Sequence, residues 1–398
     1  MLDLSYRDLK GVNIHTFETG ARYKNRKDLL LVVFDDYVNQ ASLYTKSTCP
    51  SVPVDWCRKN LNKQIKAIIV NAGNANAFTG DIGLRDLLTI SSEIANKIGC
   101  KIEDIGVAST GVIGEYMNIQ PIIQSIKNID LNNKSSWIDA AESIMTTDTY
   151  PKLAKKEFKI DGKDIEIIGI AKGSGMIEPN MGTMLSFIFT NACIDEELLK
   201  PILKEVTTNS FNSITVDGDT STSDTVMLIS TNKAGNKPLI NIDEDSSKEF
   251  IAELQKLTID LAKQIVLDGE GATKLVEINI RSALSKISAI NIAKSIANSP
   301  LVKTAIYGQD PNWGRIIAAI GKSYENIDLK KLKISIGDQL VTLNSTVSPE
   351  YDEVLTKKYM EGDVIEIIID LGIGNYSHKI WTCDLSHKYI DINTDYRS

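Results

Sequence analysis

The stretch Lys155-Lys-Glu-Phe-Lys-Ile-Asp-Gly-Lys-Asp-Ile-Glu-Ile-Ile-Gly-Ile-Ala171, continuing as Lys172-Gly-Ser-Gly-Met-Ile-Glu-Pro-Asn-Met-Gly-Thr-Met-Leu185, sets the reading of the fold. Two apolar runs flank Asp161–Gly162, a pair whose residues tolerate positive φ and favour a two-residue hairpin turn. The second run then opens into a loop punctuated by Gly173, Gly175, Pro179 and Gly182. It closes on Met184–Thr190, another apolar run expected to be a strand. Taken locally, this is a loop between two strands, with Thr183 as an ordinary β-branched strand opener.

Working outward, Leu29–Phe34 and Ala67–Val70 read as buried strands, and Leu84–Ile98 as a helix ending at Gly99. Ile194–Phe211 predicts a helix in which Pro201 sits in the first turns or introduces a kink. Ser246 with Glu249 forms a capping-box pattern ahead of Phe250, Leu254, Leu257, Leu261 and Ile265 on one face, with Gly269 as the stop. Lys274–Ile280 alternates, placing Leu275, Glu277 and Asn279 opposite Val276, Ile278 and Ile280. Ser285–Asn298 reads as a helix stopped by Pro300; Leu332–Ile336, Asp363–Asp370 and His378–Cys383 read as late strands. The expected class is mixed α/β (α+β), with layered sheets flanked by helices and a second α/β lobe. No Pro/Ser-rich linker marks a boundary, so the lobes are expected to be tightly joined.

Composition narrows the partners. Among 398 residues, 44 basic side chains face 52 acidic ones, a formal charge of −8. That balance argues against nucleic acid or an anionic membrane surface as the main partner. Five dispersed cysteines without CxxC spacing suit a reducing cytoplasm. The opening MLDLSYRDLKGVNIHTF lacks a basic segment followed by an apolar one, and no apolar run reaches the ~20 residues of a membrane span, so a cytoplasmic location is expected. Asp217-Gly-Asp219 lacks the calcium-loop register, Gly269–Lys274 lacks phosphate-loop spacing, and Gly372-Ile-Gly374 is too short a pattern to carry a function. No Cys/His cluster suggests a metal, and none is expected.

Only His15, His378 and His387 occur, and nucleophilic enzymes usually draw their base from histidine. A threonine freed as an amino terminus supplies its own base, since an α-amine has an ordinary pKa near ~8. If the Thr183 hydroxyl attacks the Gly182 carbonyl and the resulting ester hydrolyses, Thr183 becomes such a residue.

This segment resembles the cleavage and nucleophile motif of the ornithine acetyltransferase family, also called bifunctional glutamate N-acetyltransferase. The resemblance runs through Ile68-Ile-Val-Asn-Ala-Gly-Asn-Ala-Asn-Ala77, Ser109-Thr-Gly-Val-Ile-Gly114 and Met145-Thr-Thr-Asp-Thr149. It continues through Ser210–Asp224, Gly269–Lys274, Lys303–Arg315 and Tyr389–Ser398. It departs from the family pattern at Gly182, where alanine is more usual, at Asn191, where aspartate is usual, and over Thr45–Pro53. The resemblance implies an enzyme of arginine biosynthesis that cuts itself between Gly182 and Thr183 into chains 1–182 and 183–398. The two chains would interleave and pair further into an α2β2 unit. It implies ping-pong acetyl transfer from N2-acetylornithine to glutamate through acetyl-Thr183, with Thr110 and Gly111 as the oxyanion pair. Thr149, Lys172, Thr183, Glu270, Asn393 and Ser398 match its substrate-contacting positions. Lys172 suits a substrate carboxylate, and Glu270 suits a distal ammonium. No cofactor is implied, although acetyl-CoA stays open as a co-substrate. A hydrolase using the same nucleophile, such as an amidase or aminopeptidase, and a relative with another acyl acceptor remain alternatives.

Overall fold

The structure is a computed structural model that describes residues 8–178 and 184–394. It divides into two compact units. Unit 1 takes 8–173, 184–212 and 220–262; unit 2 takes 174–178, 213–219 and 263–394. A division of the chain at 182/183 therefore coincides with neither unit.

The strands of unit 1 are β1 (Val12–Phe17), β2 (Leu29–Tyr44), β3 (Gln64–Asn74), β4 (Ile105–Val112), β5 (Lys152–Ile160), β6 (Lys163–Lys172), β7 (Leu185–Thr190) and β8 (Thr225–Ser230). They form one sheet in the order β4-β3-β2-β8-β7-β6-β5, with β1 paired to β2. Its helices are α1 (Val52–Asn60), α2 (Gly80–Ile98), α3 (Ile119–Lys127), α4 (Trp137–Ser143) and α5 (Glu196–Thr208), with most of α6 (Asp245–Leu267).

The pivot of this sheet is β2. It pairs with β3 from Leu29 to Val33, breaks register, meets β3 again at Val38 and Asn39, and pairs with β8 from Asn39 to Tyr44. The break coincides with exposed Asp35, Asp36 and Tyr37, which interrupt the apolar run. A bulge increases local bend and twist, and here the sheet doubles back on itself. Ile68, Val70 and Ala108 of one layer share a core with Ile168, Ile170, Leu185, Phe187 and Phe189 of the other. Outside the first layer, α1, α2 and α3 cover Leu31, Ile69 and Val107 through Trp56, Ile90, Ile94 and Ile122. Behind the second, Gly169 lets Leu257 and Leu261 of α6 approach so closely that a methyl group there would meet them at 2.9 and 2.8 Å. The order is helix, sheet, sheet, helix.

The hairpin expected at Asp161–Gly162 forms, with Ile160 opposite Lys163 and φ of 51° and 74° at the two turn residues. Those angles belong to the mirror-image turn that matches strand twist. Gly99 ends α2 in the left-handed region, as expected. Two expectations need correction. α6 begins at Asp245, with the Lys248 N–H already bonded to the Glu244 carbonyl, so Ser246 lies inside the first turn and does not cap it. α5 is shorter than Ile194–Phe211, capped by Asp195, and carries Pro201 in its interior.

Unit 2 is built on β9 (Leu275–Ala283), β10 (Lys333–Ile336), β11 (Gln339–Leu343), β12 (Thr346–Val347), β13 (Val364–Asp370) and β14 (Tyr376–Cys383), in the order β12-β11-β10-β13-β9-β14. Only β9 and β13 run parallel among these described pairs. Val276, Ile278 and Ile280 alternate into the core as expected, where α7 (Lys286–Ala297), α8 (Pro300–Tyr307) and α9 (Trp313–Gly321) pack. Pro300 starts α8 at its first turn, a position where its missing N–H costs nothing. α10 (Glu353–Tyr359) and α11 (His387–Thr394) complete the unit. Among the described residues no helix is long and apolar enough to cross a membrane.

Candidate active site

In unit 1 the Thr110–Gly111 pair lies within β4, at the end where its pairing with β3 becomes irregular. The local sequence also allows a Ser-Thr-Gly turn after the strand; the structure keeps both residues in the strand. Gly111 has φ +131°, and a Cβ on it would sit 2.2 Å from the Gly73 carbonyl carbon and 2.6 Å from the Asn74 nitrogen. No side chain fits there. Gly73 has φ +100°, and a Cβ on it would meet Arg22 Cγ at 2.7 Å.

The asparagines of Asn71–Asn76 hold this irregular end. Asn71 accepts from Ser109 Oγ at 2.5 Å and donates to the Asn74 carbonyl at 2.8 Å. Asn74 accepts from the Asn76 N–H, and Asn76 donates to the Gly83 carbonyl of α2. Short amide side chains can satisfy backbone groups that the irregular ladder leaves unpaired.

Lys172 ends β6 and is buried. Its ammonium donates to Thr110 Oγ1 at 3.0 Å and to Thr146 Oγ1 at 2.9 Å. This bond is possible because the doubled sheet brings β4 over β6. With a lysine N–H donated to its oxygen, the Thr110 hydroxyl directs its own proton elsewhere, as an oxyanion donor must. Lys172 is also opposite Leu185 in the β6–β7 pairing, and the Met184 carbonyl accepts the Thr225 N–H at 3.0 Å.

Asp148 belongs to the Met145–Thr149 motif, and nothing local in the sequence marks it out. Its carboxylate is buried and accepts from Lys152 Nζ at 2.7 Å, from the Gly173 N–H at 2.6 Å and from the Thr146 N–H at 3.0 Å. Both charged side chains of the Lys152–Asp148 pair are fully buried. Burial alone would raise the Asp148 pKa; the Lys172 and Lys152 ammonium groups and the hydrogen bonds outweigh it and bring it down to about 2. Asp224, wholly buried, is instead pushed well above the usual carboxylate range by desolvation, against the pull of Thr45, Ser221 and Lys172. Thr149 is exposed on the turn beside Asp148.

In unit 2, Glu270 is buried just past α6 and accepts from Asn393 Nδ2 at 2.8 Å. Gly175 lies against its carboxyl group, and a Cβ there would fall 2.4 Å from the carboxyl carbon. The Glu270 N–H donates to the Ser174 carbonyl. Asp217, read in sequence as too weak a metal or phosphate signal, accepts the backbone N–H groups of Met176 and Ile177 and so fixes the 174–178 segment. Gly271, at φ +73°, leaves room for the backbone of Lys388 and Tyr389, which brings α11 and its Asn393 against Glu270. The nucleophile candidate Thr183, its predecessor Gly182 and the terminal Ser398 lie outside the described residues.

Two of the three histidines, His15 and His378, are buried. His15 is buried, its pKa lowered by desolvation, with Nδ1 at the Asn133 carbonyl. His378 is buried in β14, and desolvation with Lys286 and Lys294 lowers it to about 4. His387 opens α11. Among the described residues, no three His, Cys, Asp or Glu side chains group as metal ligands.

The model of the ArgJ family matches residues 13–398. The chain is 44% identical over 392 residues to the arginine biosynthesis bifunctional protein ArgJ of Gluconobacter oxydans, covering 98% of this chain and 92% of the relative. It is 46% identical over 395 residues to the protein of the same name from Brucella suis, covering 98% and 96%. The crystal structure of the Bacillus halodurans arginine biosynthesis bifunctional protein is 42% identical with a TM-score of 0.51, and the match covers 52% of this chain and 97% of that one.

Proposed function

The chain belongs to the ArgJ family and is an acetyltransferase of arginine biosynthesis, and on that premise we propose that it works through a self-generated amino-terminal Thr183. The Thr183 hydroxyl attacks the Gly182 carbonyl carbon, and its amide nitrogen leaves as the α-amine. Water then hydrolyses the Gly182 ester, giving a free carboxylate and an unacylated Thr183. In turnover the same oxygen attacks the acetyl carbonyl of N2-acetylornithine. The α-amine takes the hydroxyl proton and passes it to the departing ornithine nitrogen. The α-amine of glutamate then attacks acetyl-Thr183, and N-acetylglutamate leaves. Each tetrahedral oxyanion is received by the Thr110 hydroxyl and the Gly111 N–H.

The observation that carries this reading is the Lys172–Thr110 bond beside the tightly fitted Gly111. It gives a threonine hydroxyl that faces away from its cation and a backbone N–H on a constrained strand end, the two parts an oxyanion site needs. The burial of His15 and His378, which lowers both pKa values, agrees with an amine base. The solved relative's chain is almost entirely matched by about half of this one, which is consistent with a processed fragment.

Thr149, Lys172, Glu270, Asn393 and Ser398 serve the substrate, with Lys172 favouring a carboxylate and Glu270 a distal ammonium. The enzyme uses no resident cofactor; acetyl-CoA is a further donor, in keeping with the word bifunctional in the relatives' names. Two pairs of fragments assemble as α2β2 in the cytoplasm.

Replacing Thr183 by Ala should abolish both cutting and transfer, and persistent transfer would mean another nucleophile. A hydrolase with the same nucleophile would release acetate even when glutamate saturates. Free acetate dominating under that condition would replace the transferase reading with a hydrolase.

A further inference from the structure

Lys172 reaches Thr110 only if its long side chain and its charge are both held, and the groups around it show how. Asp148 Oδ1 accepts from Lys152 at the start of β5 and from Gly173 at the end of β6. Its Oδ2 accepts the N–H of Thr146, whose hydroxyl in turn accepts from Lys172. One carboxylate therefore joins three chain segments that meet around the Lys172 ammonium. Lys172 lies close enough to help hold Asp148 ionised, and by the same attraction the carboxylate favours a charged ammonium beside it. Without that charge a lysine nitrogen could accept the Thr110 proton and turn the hydroxyl away from the substrate.

We infer that Asp148 is a positioning residue of the acyl-transfer site: acting through Lys172 and Thr146, it fixes the Thr110 hydroxyl as an oxyanion donor. This rests on the acyl-transfer role given to Thr110 above. A structural explanation also exists, since a buried carboxylate joined to a buried lysine holds the β5–β6 edge together. The two differ in what they predict for kcat and for its coupling to Thr110.

The test is a double-mutant cycle of Asp148→Asn and Thr110→Ala, read as kcat and KM for acetyl transfer from N-acetylornithine to glutamate. Thr110→Ala should lower kcat about 10²–10³-fold, the usual effect of losing one oxyanion donor. Asp148→Asn should lower kcat by about 10-fold or more with KM changed less than about threefold, and the double variant should fall no further than Thr110→Ala alone. Where a variant cuts itself slowly, the same cycle is read on the cutting rate.

If Asp148→Asn fails to fold because Lys152 loses the Asp148 carboxylate, Asp148→Asn/Lys152→Met removes that charge and replaces it in the cycle. Losses that multiply, a change confined to KM, or full kcat in the refolded variant would each overturn the inference. Trapping acetyl-Thr183 in the wild-type enzyme is the separate control. Its absence would sink the acyl-enzyme reading, whereas its presence with multiplicative losses would sink only the role of Asp148.

Discussion

Gly111 and Gly162 both hold a positive φ, yet a methyl group has a different consequence at each. Around Gly162 nothing lies within 4 Å of the position a Cβ would take. Gly162→Ala should therefore cost only the left-handed strain, about 1 kcal/mol, and leave kcat unchanged. At Gly111 the same methyl would strike the Gly73 carbonyl. Gly111→Ala should cost at least about 3 kcal/mol and lower kcat by about 10²-fold or more, because strand β4 must move away from β3. Paired denaturant melts and kinetics measure both variants; equal effects at the two sites would contradict the geometry.

The same residues show what sequence could reveal. Asp161–Gly162 announces its turn because the required φ values are a property of the dipeptide. Nothing local to Ser109–Gly114 reveals that Gly111 faces Gly73, because that approach depends on strands 38 residues apart in chain position. The importance of Asp148 was likewise hidden, since Lys172 and Gly173 arrive from a different hairpin strand.

At the level of elements, alternation and capping residues located most strands and several helices. Leu29–Phe34 was legible, but β2 continues ten residues further. Asp35-Asp-Tyr37 breaks the apolar pattern at the bulge, so the sequence resembles a strand end where the structure has a pivot. Short helices such as α4 depend on core packing through Trp137, Ala140 and Ala141, which local propensity does not display.

In unit 2, β14 carries the buried His378 beneath α7, whose Lys286 and Lys294 face it electrostatically, while Ser213 Oγ lies 3.4 Å from Nε2. Its imidazole stays neutral in the fold down to about 4, but in the unfolded chain it takes a proton below ~6.5. Unfolding therefore binds the extra proton, and stability falls as pH drops from ~6.5 toward about 4. The loss from this one group should approach about 3 kcal/mol at the lower limit. Denaturant midpoints measured across that range should decline in the wild type and decline less in His378→Gln. An equal decline would mean that His378 does not carry the effect.

Across the whole molecule, strand order gives the proposed cut a physical setting. β7 and β8 follow residue 183, yet they sit between β2 and β6 near the middle of the unit 1 sheet. Phe187, Phe189, Met227 and Ile229 share its buried core with Leu30, Val32, Ile168 and Ile170 from before the cut. Separating the fragments would break the β2–β8 and β6–β7 ladders and expose that core. After cleavage they should run together on a native column and separate only in denaturant.

Thr183 is outside the described residues, so the decisive observation is chemical. The most direct measurement is intact mass on the freshly purified wild-type protein under denaturing conditions. Two chains are predicted, one ending at Gly182 and the other beginning Thr183-Met-Leu, which co-elute when native. A single uncut chain of 43.9 kDa that persists through prolonged incubation would contradict the self-generated nucleophile.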